Sequence, residues 1–195
     1  MNKLVEALLQ AYVGESQARN RYDFHSKIAK KEGYVQISQI FSETAGHEKT
    51  HGKNYYRMAM SVMKKLGEEI DMAELNKVGV PIIMGNTIEN LKSAIAGEHH
   101  EATEMYPKIA KIAEEEGFPK VAEQVLAIAE AETHHEARFK RLLEQIEKGS
   151  IFEKDGDVWW LCIECGYWHK GKFAPENCIS CNHPQAYFKV MDEVY

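Results

Sequence analysis

Two stretches of this chain read as long amphipathic helices whose apolar stripe is broken, near mid-length, by a glutamate and a histidine three residues apart. Over 118–147 the stripe runs Val121, Val125, Ile128, Glu132, His135, Phe139, Leu142, Ile146, in the steps of three and four that keep side chains on one helical face. Over 34–66 it runs Ile37, Phe41, Thr44, Glu48, His51, Tyr55, Met58, Val62. Two further helical stretches, 2–31 and 87–116, carry Leu4, Leu8, Ala11, Glu15, Ala18, Tyr22 and Leu91, Ala94, Glu98, Glu101, Met105, Ile112. Packing four such stripes together brings five carboxylates and two imidazoles into the middle of one core.

An isolated carboxylate costs several kcal/mol to bury even after relaxation, and five together repel one another. No Lys or Arg stands at these stripe positions, so the compensating charge must come from elsewhere. Two divalent or trivalent metal ions would supply it. Glu-x-x-His sets both ligands on one helical face, the arrangement of di-iron carboxylate bundles. Oxygen-rich ligation with only two imidazoles suits iron or manganese better than zinc.

The first 148 residues are also an internal repeat. Ile28-Ala29-Lys30-Lys31-Glu32-Gly33-Tyr34 matches Ile112-Ala113-Glu114-Glu115-Glu116-Gly117-Phe118, and the same offset carries Tyr22 onto Tyr106, Glu48 onto Glu132, His51 onto His135 and Tyr55 onto Phe139. Gly14-Glu15 recurs as Gly97-Glu98 with the offset one residue smaller. The third helix therefore holds one extra residue between its Glu and its Tyr. An insertion of this kind is often absorbed as a π-bulge, and Pro107 just beyond it would also disturb the helix locally. Gly33 and Gly117 read as C-cap glycines of two tight helix joins. The long middle connection, with Gly67, Gly79, Pro81 and Gly85, is expected to cross from one end of the bundle to the other, the connectivity of ferritin-like four-helix bundles.

Composition changes near residue 149. All four Cys and all three Trp lie beyond it, which divides the chain into a bundle at 1–148, a linker at 149–156 and a small domain at 157–195. Cys162-x-x-Cys165 and Cys178-x-x-Cys181 each form a knuckle, and four thiolates on two turns make a tetrahedral site for zinc or a single iron. Spacing does not separate the two metals. A one-electron iron beside a redox di-iron centre has an evident use, which favours iron. So short a segment needs the metal to fold, with Trp159, Trp160, Tyr167, Trp168, Phe173, Tyr187 and Phe188 expected to pack around it.

Net charge is -6, with no basic face to bind nucleic acid. No apolar run approaches bilayer length. Met1-Asn2-Lys3-Leu4-Val5-Glu6 reaches an acidic residue too early for a signal-peptide core, so a cytoplasmic location is expected, and thiols there favour metal ligation over disulfides. His47, His134, His99 and His100 fall off the stripes and are assigned to the surface or to supporting contacts. Glu43, Glu130 and Glu136 read as surface or flanking charges. Tyr22 and Tyr106 face inward, either as core aromatics or as hydrogen-bond donors to metal-bound carboxylates.

With these residues in place the chain resembles the rubrerythrins over nearly its whole length. The resemblance is carried by Gly14-Glu15-Ser16-Gln17-Ala18, Glu48-Lys49-Thr50-His51, Ala96-Gly97-Glu98-His99-His100-Glu101, Glu132-Thr133-His134-His135-Glu136-Ala137-Arg138-Phe139 and the two cysteine knuckles, the second running on through Asn182-His183-Pro184-Gln185-Ala186-Tyr187-Phe188. The resemblance implies a mainly α fold: a ferritin-like four-helix bundle with one long crossover, then a small rubredoxin-like β/loop metal domain. It implies two Fe in a di-iron carboxylate site, with Glu48 and Glu132 bridging, Glu15 terminal on one iron, and Glu98 and His135 on the other. Glu101 would exchange with His51 on the first iron as the redox state changes, and Tyr22 and Tyr106 would support the ligands. One further Fe would sit on Cys162, Cys165, Cys178 and Cys181. Ile163 and Ile179 stand where many rubredoxin-type knuckles carry Pro, a departure that leaves ligation intact.

The activity so implied is a peroxidase that reduces hydrogen peroxide to water in oxidative-stress defence. Electrons would come from an external donor, a rubredoxin or an NAD(P)H-dependent reductase, through the chain's own cysteine-bound iron. The short tether predicts that this iron serves a partner subunit, hence a homodimer or larger homo-oligomer. The alternative on the same site is an oxygen-reducing oxidase or ferroxidase. Iron storage has no need of a fused donor domain, and a zinc-ribbon interaction module on an inert bundle would give a colourless protein.

Overall fold

The computed structural model describes residues 2–67 and 85–191. Helix α1 spans Lys3–Lys31 and α2 Val35–Leu66. The third bundle helix is continuous but compound: α3 at Thr87–His100, a π-helical turn at Glu101–Met105, then α4 at Tyr106–Glu115. Helix α5 spans Pro119–Glu147. The π turn falls between Glu98 and Tyr106, where the repeat offset places the extra residue. Pro107 follows the π turn directly, as the second residue of α4.

Both tight joins close in the same way. Tyr34 N–H donates to the Ala29 carbonyl at 2.9 Å and Gly33 N–H to that of Lys30 at 3.2 Å, and Phe118 and Gly117 repeat the pair onto Ala113 and Glu114 at 2.8 and 3.0 Å. Gly33 and Gly117 have φ of 86° and 81°, the left-handed conformation this pair of bonds demands. Helix α1 therefore returns along α2, and the third bundle helix along α5.

The two hairpins are joined by a crossover. The end of α2 brings Lys65 Nζ to 5.5 Å from the centre of the Phe118 ring, whereas the start of α3 gives its Thr87 N–H to Glu32 Oε2 at 2.8 Å. These contacts mark opposite ends of the bundle, so the chain passes from one to the other between Gly67 and Gly85. Gly79 and Pro81, expected on this connection, lie outside the described residues.

The core is two apolar layers with the polar centre between them. Leu4, Leu8, Tyr55, Met58, Val62, Ile109 and Val125 fill one, and Ala18, Ile37, Phe41, Leu91, Phe139 and Leu142 the other. Ile151 is buried in this second layer and seats the small domain against the bundle. The first strand, β1, runs Glu153–Cys162 and so begins inside the stretch expected as linker; β2 is Trp168–Phe173 and β3 Phe188–Val190, in an antiparallel sheet of order β2-β1-β3. The expected aromatic core is smaller than predicted. Trp160 and Phe188 are buried with Ala174, Cys162 and Cys178, but Trp159, Trp168 and Phe173 are 40%, 55% and 57% exposed. Strand alternation turns Trp159 to the face opposite Trp160, where it packs on Trp168 with centroids 4.5 Å apart.

Candidate metal centres

Residues from all bundle helices converge between the two apolar layers. Glu15, Glu48, Glu98, Glu132 and His135 are buried and His51 is half-buried. Glu15, Glu48, His51 and Glu132 place one ligand atom each within 4.8 Å of one another, and so do Glu48, Glu98, Glu132 and His135. Glu48 and Glu132 belong to both sets. Glu101, on the π turn, is half-buried and lies outside both four-residue sets.

His51 Nδ1 lies 3.0 Å from Glu48 Oε2, 2.9 Å from Glu132 Oε1 and 3.8 Å from Glu15 Oε1. His135 Nδ1 lies 2.8 Å from Glu132 Oε2, 3.3 Å from Glu98 Oε2 and 3.4 Å from Glu48 Oε1. Each ring nitrogen carries at most one proton, and hydrogen-bond geometry directs these to Glu48 and Glu98. Both oxygens of Glu132, Oε1 of Glu48 and Oε2 of Glu15 are left without a donor among the described residues. Buried anionic oxygens require a cation, and six oxygen or nitrogen ligands in two overlapping sets fit a pair of iron ions.

The acid–base balance of the bare protein agrees. Burial, then repulsion from Glu132 and Glu48, holds the Glu15 carboxyl well above its ordinary range. Burial and the Glu98 and Glu132 charges push Glu48 up to about 10 and Glu101 up to about 8; Glu98 is raised by burial too. Burial also opposes ionisation of Glu132, but the His135 and His51 rings close beside it outweigh this and lower that carboxyl. His135 moves the opposite way: burial disfavours its charge, and Glu132 and Glu98 overcome this to raise it to about 10. Protein alone thus keeps most of these carboxyls as acids, and metal cations are what would hold them as carboxylates.

The tyrosines cross the repeat. Tyr106 donates to Glu15 Oε1 at 2.7 Å, and Tyr22 donates to Glu98 Oε1. Each half of the bundle therefore orients a carboxylate of the other half. Burial and the surrounding carboxylates hold both phenols well above their ordinary range, so they remain donors.

Several supporting contacts were not legible in the stripe pattern. His47 Nδ1 lies 3.0 Å from His135 Nε2, with the two ring planes inclined by only 14°. Glu136, expected at the surface, is buried and bonds His99 Nδ1 at 3.1 Å and Lys140 Nζ at 2.5 Å. Glu43 is exposed and takes both terminal nitrogens of Arg138 at 3.2 and 2.9 Å. Glu130, His100 and His134 are exposed. A cavity of about 250 Å3, lined by Tyr12, Ser16, Arg19, Asn20, Lys49 and Gly52, reaches Glu48 from the α1–α2 face.

In the small domain the four Sγ atoms also lie within 4.8 Å of one another. Cys162 and Cys181 are separated by 3.7 Å and Cys165 and Cys178 by 3.6 Å. Metal–sulfur bonds of about 2.3 Å give a tetrahedron with edges of about 3.8 Å, so the thiols are already disposed for one ion. The knuckles are copies: Gly166 N–H donates to the Cys162 carbonyl at 2.9 Å and Asn182 N–H to that of Cys178 at 2.8 Å, with φ of 76° and 59°. The Tyr167 N–H pulls the Cys165 thiol down to about 6, toward the thiolate a metal needs.

Two family models match the chain. Residues 6–143 fit the rubrerythrin family model and 160–189 the rubrerythrin rubredoxin-like domain. A putative rubrerythrin of Methanocaldococcus jannaschii is 50% identical over all of this chain and 96% of its own length. Rubrerythrin-1 of Clostridium acetobutylicum is 47% identical over 99% of this chain and 96% of its own. Fully reduced, all-ferrous nigerythrin superposes with a TM-score of 0.63 at 30% identity, covering 98% of this chain and 88% of that one. The bacterioferritin of Desulfovibrio desulfuricans, at 20% identity, a TM-score of 0.64 and 75% and 81% coverage, shares the bundle fold. Among the described residues no helix is long and apolar enough to cross a membrane. With a ferritin-like di-iron site of Glu and His ligands followed by a four-cysteine rubredoxin-like site, the chain belongs to the rubrerythrin family of oxidoreductases.

Proposed function

We propose that this protein reduces hydrogen peroxide to water at the bundle centre, H2O2 + 2 e− + 2 H+ giving two H2O, as a cytoplasmic defence against oxidative stress. The observation that carries this reading is the pairing, in one chain, of two ligand sets that share Glu48 and Glu132 with a separate four-thiolate site. A centre that spends two electrons per turnover is thereby fused to a one-electron donor.

In this reading Glu48 and Glu132, common to both sets, would hold the two irons together with Glu15 and His51 on one side and Glu98 and His135 on the other. Iron held there would supply the two electrons that cleavage of the O–O bond takes up. Tyr106 and Tyr22 hold Glu15 and Glu98 in place through their hydroxyls. Glu101, on the π turn beside Glu98, would be the carboxylate that exchanges with His51 among the residues holding the iron. The cavity at Tyr12, Ser16 and Gly52 admits a molecule as small as peroxide to Glu48. Cys162, Cys165, Cys178 and Cys181 would hold a further iron that would supply one-electron transfer, fed by a rubredoxin or an NAD(P)H-dependent reductase. A homodimer, or a larger homo-oligomer, brings this site to the bundle of a partner subunit.

The test is anaerobic. Fully reduced protein is mixed with hydrogen peroxide or with air-saturated buffer, and reoxidation of both iron chromophores is followed. Much faster reoxidation by peroxide is expected. Much faster reoxidation by oxygen would replace this reading with the oxidase or ferroxidase.

A further inference from the structure

The two inward histidines are twins in the repeat but are not held alike. His135 turns Nδ1 to Glu132, Glu98 and Glu48 and Nε2 to His47 Nδ1 at 3.0 Å. The offset that carries His51 onto His135 carries His47 onto Ala131. His51 likewise turns Nδ1 to the carboxylates, but the residue of α5 that would face its Nε2 across the pseudo-twofold has only a methyl group. The internal symmetry is thus broken at one residue, in the layer that supports the ligands.

We propose that His47 is a positioning residue that fixes His135 as the permanent imidazole ligand of one metal position, and that Ala131 at the matching place leaves His51 unbraced. The chemistry follows from the tautomer. With Nδ1 given to a metal, the proton of His135 resides on Nε2 and donates to His47 Nδ1. That bond fixes the ring plane and makes Nδ1 a stronger donor to the metal. His47 must then carry its own proton on Nε2, which lies 3.9 Å from Glu43 Oε1. Glu43 is in turn gripped by Arg138 of α5, one turn beyond His135. The brace therefore ties the His135 ring of α5 to α2 through the His47 hydrogen bond. The two positions so built differ in rigidity.

The test uses the holoprotein reconstituted with 57Fe and needs no peroxide, so its outcome is separate from the assignment of activity. Ferrous iron is withdrawn with a competing chelator and both positions are followed by Mössbauer spectroscopy. His47→Leu keeps bulk without an acceptor, and His47→Asn places Oδ1 where Nδ1 was. The expected result for His47→Leu is that one of the two ferrous signals shifts and that its iron is lost 10–100-fold more readily, the usual effect of removing such a support, while the other is unchanged. His47→Asn should restore most of the difference. Equal weakening of both positions, no change in either, or His47→Asn behaving as His47→Leu would overturn the proposal.

Discussion

Tyr106 and Glu15 stand 91 residues apart in the chain and are joined by a 2.7 Å hydrogen bond at the centre of the bundle. The bond ties the third bundle helix to the first and fixes which carboxylate oxygen is left for a metal, because Glu15 Oε2 has no donor among the described residues. Tyr106→Phe keeps the ring volume and removes only the donor. It should leave the fold intact and lower iron affinity or peroxide turnover by about tenfold or more, measured as bound iron against chelator and as initial rate. Since the phenol is held far above its ordinary range, wild-type activity should show no loss traceable to this group up to pH 9.

Sharing of ligands makes a stoichiometric prediction. Glu132→Ala removes a carboxylate common to both sets, whereas Glu15→Ala touches one. Elemental analysis should find the bundle of Glu132→Ala depleted of both ions, and that of Glu15→Ala depleted of one. The iron of the small domain should persist in each. Retention of both bundle ions by Glu132→Ala would show that the two sets do not act as one centre.

Stripping the metal should invert the response to pH. In the bare protein Glu48 is raised to about 10 and Glu101 to about 8. A carboxyl whose folded value exceeds its unfolded one stabilises fully below the unfolded value, and that contribution drains away as pH climbs through the folded one. His135, raised to about 10, acts in the same direction above its ordinary value. The chelated protein should therefore melt at progressively lower temperature between about pH 5 and 10. The loaded protein should not, because metal binding requires the deprotonated forms and strengthens with pH. Parallel calorimetric series with and without chelator decide it.

Cys178 is buried against Trp160 and Phe188, in a core too small to hold the segment unaided. Cys178→Ser should abolish the visible absorption of the cysteine-bound iron and open the segment beyond Ile151 to protease. The bundle, with its own two apolar layers, should keep its helical circular dichroism.

Gly52 borders the cavity beside Glu48, and a Cβ there would come within 3.4 Å of the Glu15 Cβ. Gly52→Leu fills that space. The expected outcome is a fall in kcat/KM for hydrogen peroxide with iron content retained, and a steeper fall for a bulky alkyl hydroperoxide.

The bundle and the inward face of its centre were legible because a helix repeats every 3.6 residues, so a Glu or His on an apolar stripe has nowhere to point but the core. The π turn was legible for a different reason. Two copies of one hairpin share a spacing of Glu to Tyr, and the second copy exceeds it by one. What a stripe cannot convey is which helix lies opposite. His47 adjoins Glu48 and is rotated about 100° from it, so its bond to His135 exists only through the packing of α2 against α5. The crossed tyrosines escaped in the same way, since spacing showed them inward without showing whose carboxylate they meet. In the small domain, aromatic composition suggested a larger core than period-two alternation along β1 allows: Trp160 takes the inside and Trp159 is turned out.

The π turn at Glu101–Met105 has a consequence for how such a centre can arise. Doubling a hairpin yields a pocket whose halves are obliged to be identical, and identical halves cannot divide labour. One surplus codon, absorbed within a single turn, leaves Glu98 in register on one side and Tyr106 on the other, so neither layer of packing is disturbed. All of the displacement falls on the residues between. Glu101 is one of them: it stands three residues after Glu98, where the first hairpin has Ala18 three residues after Glu15.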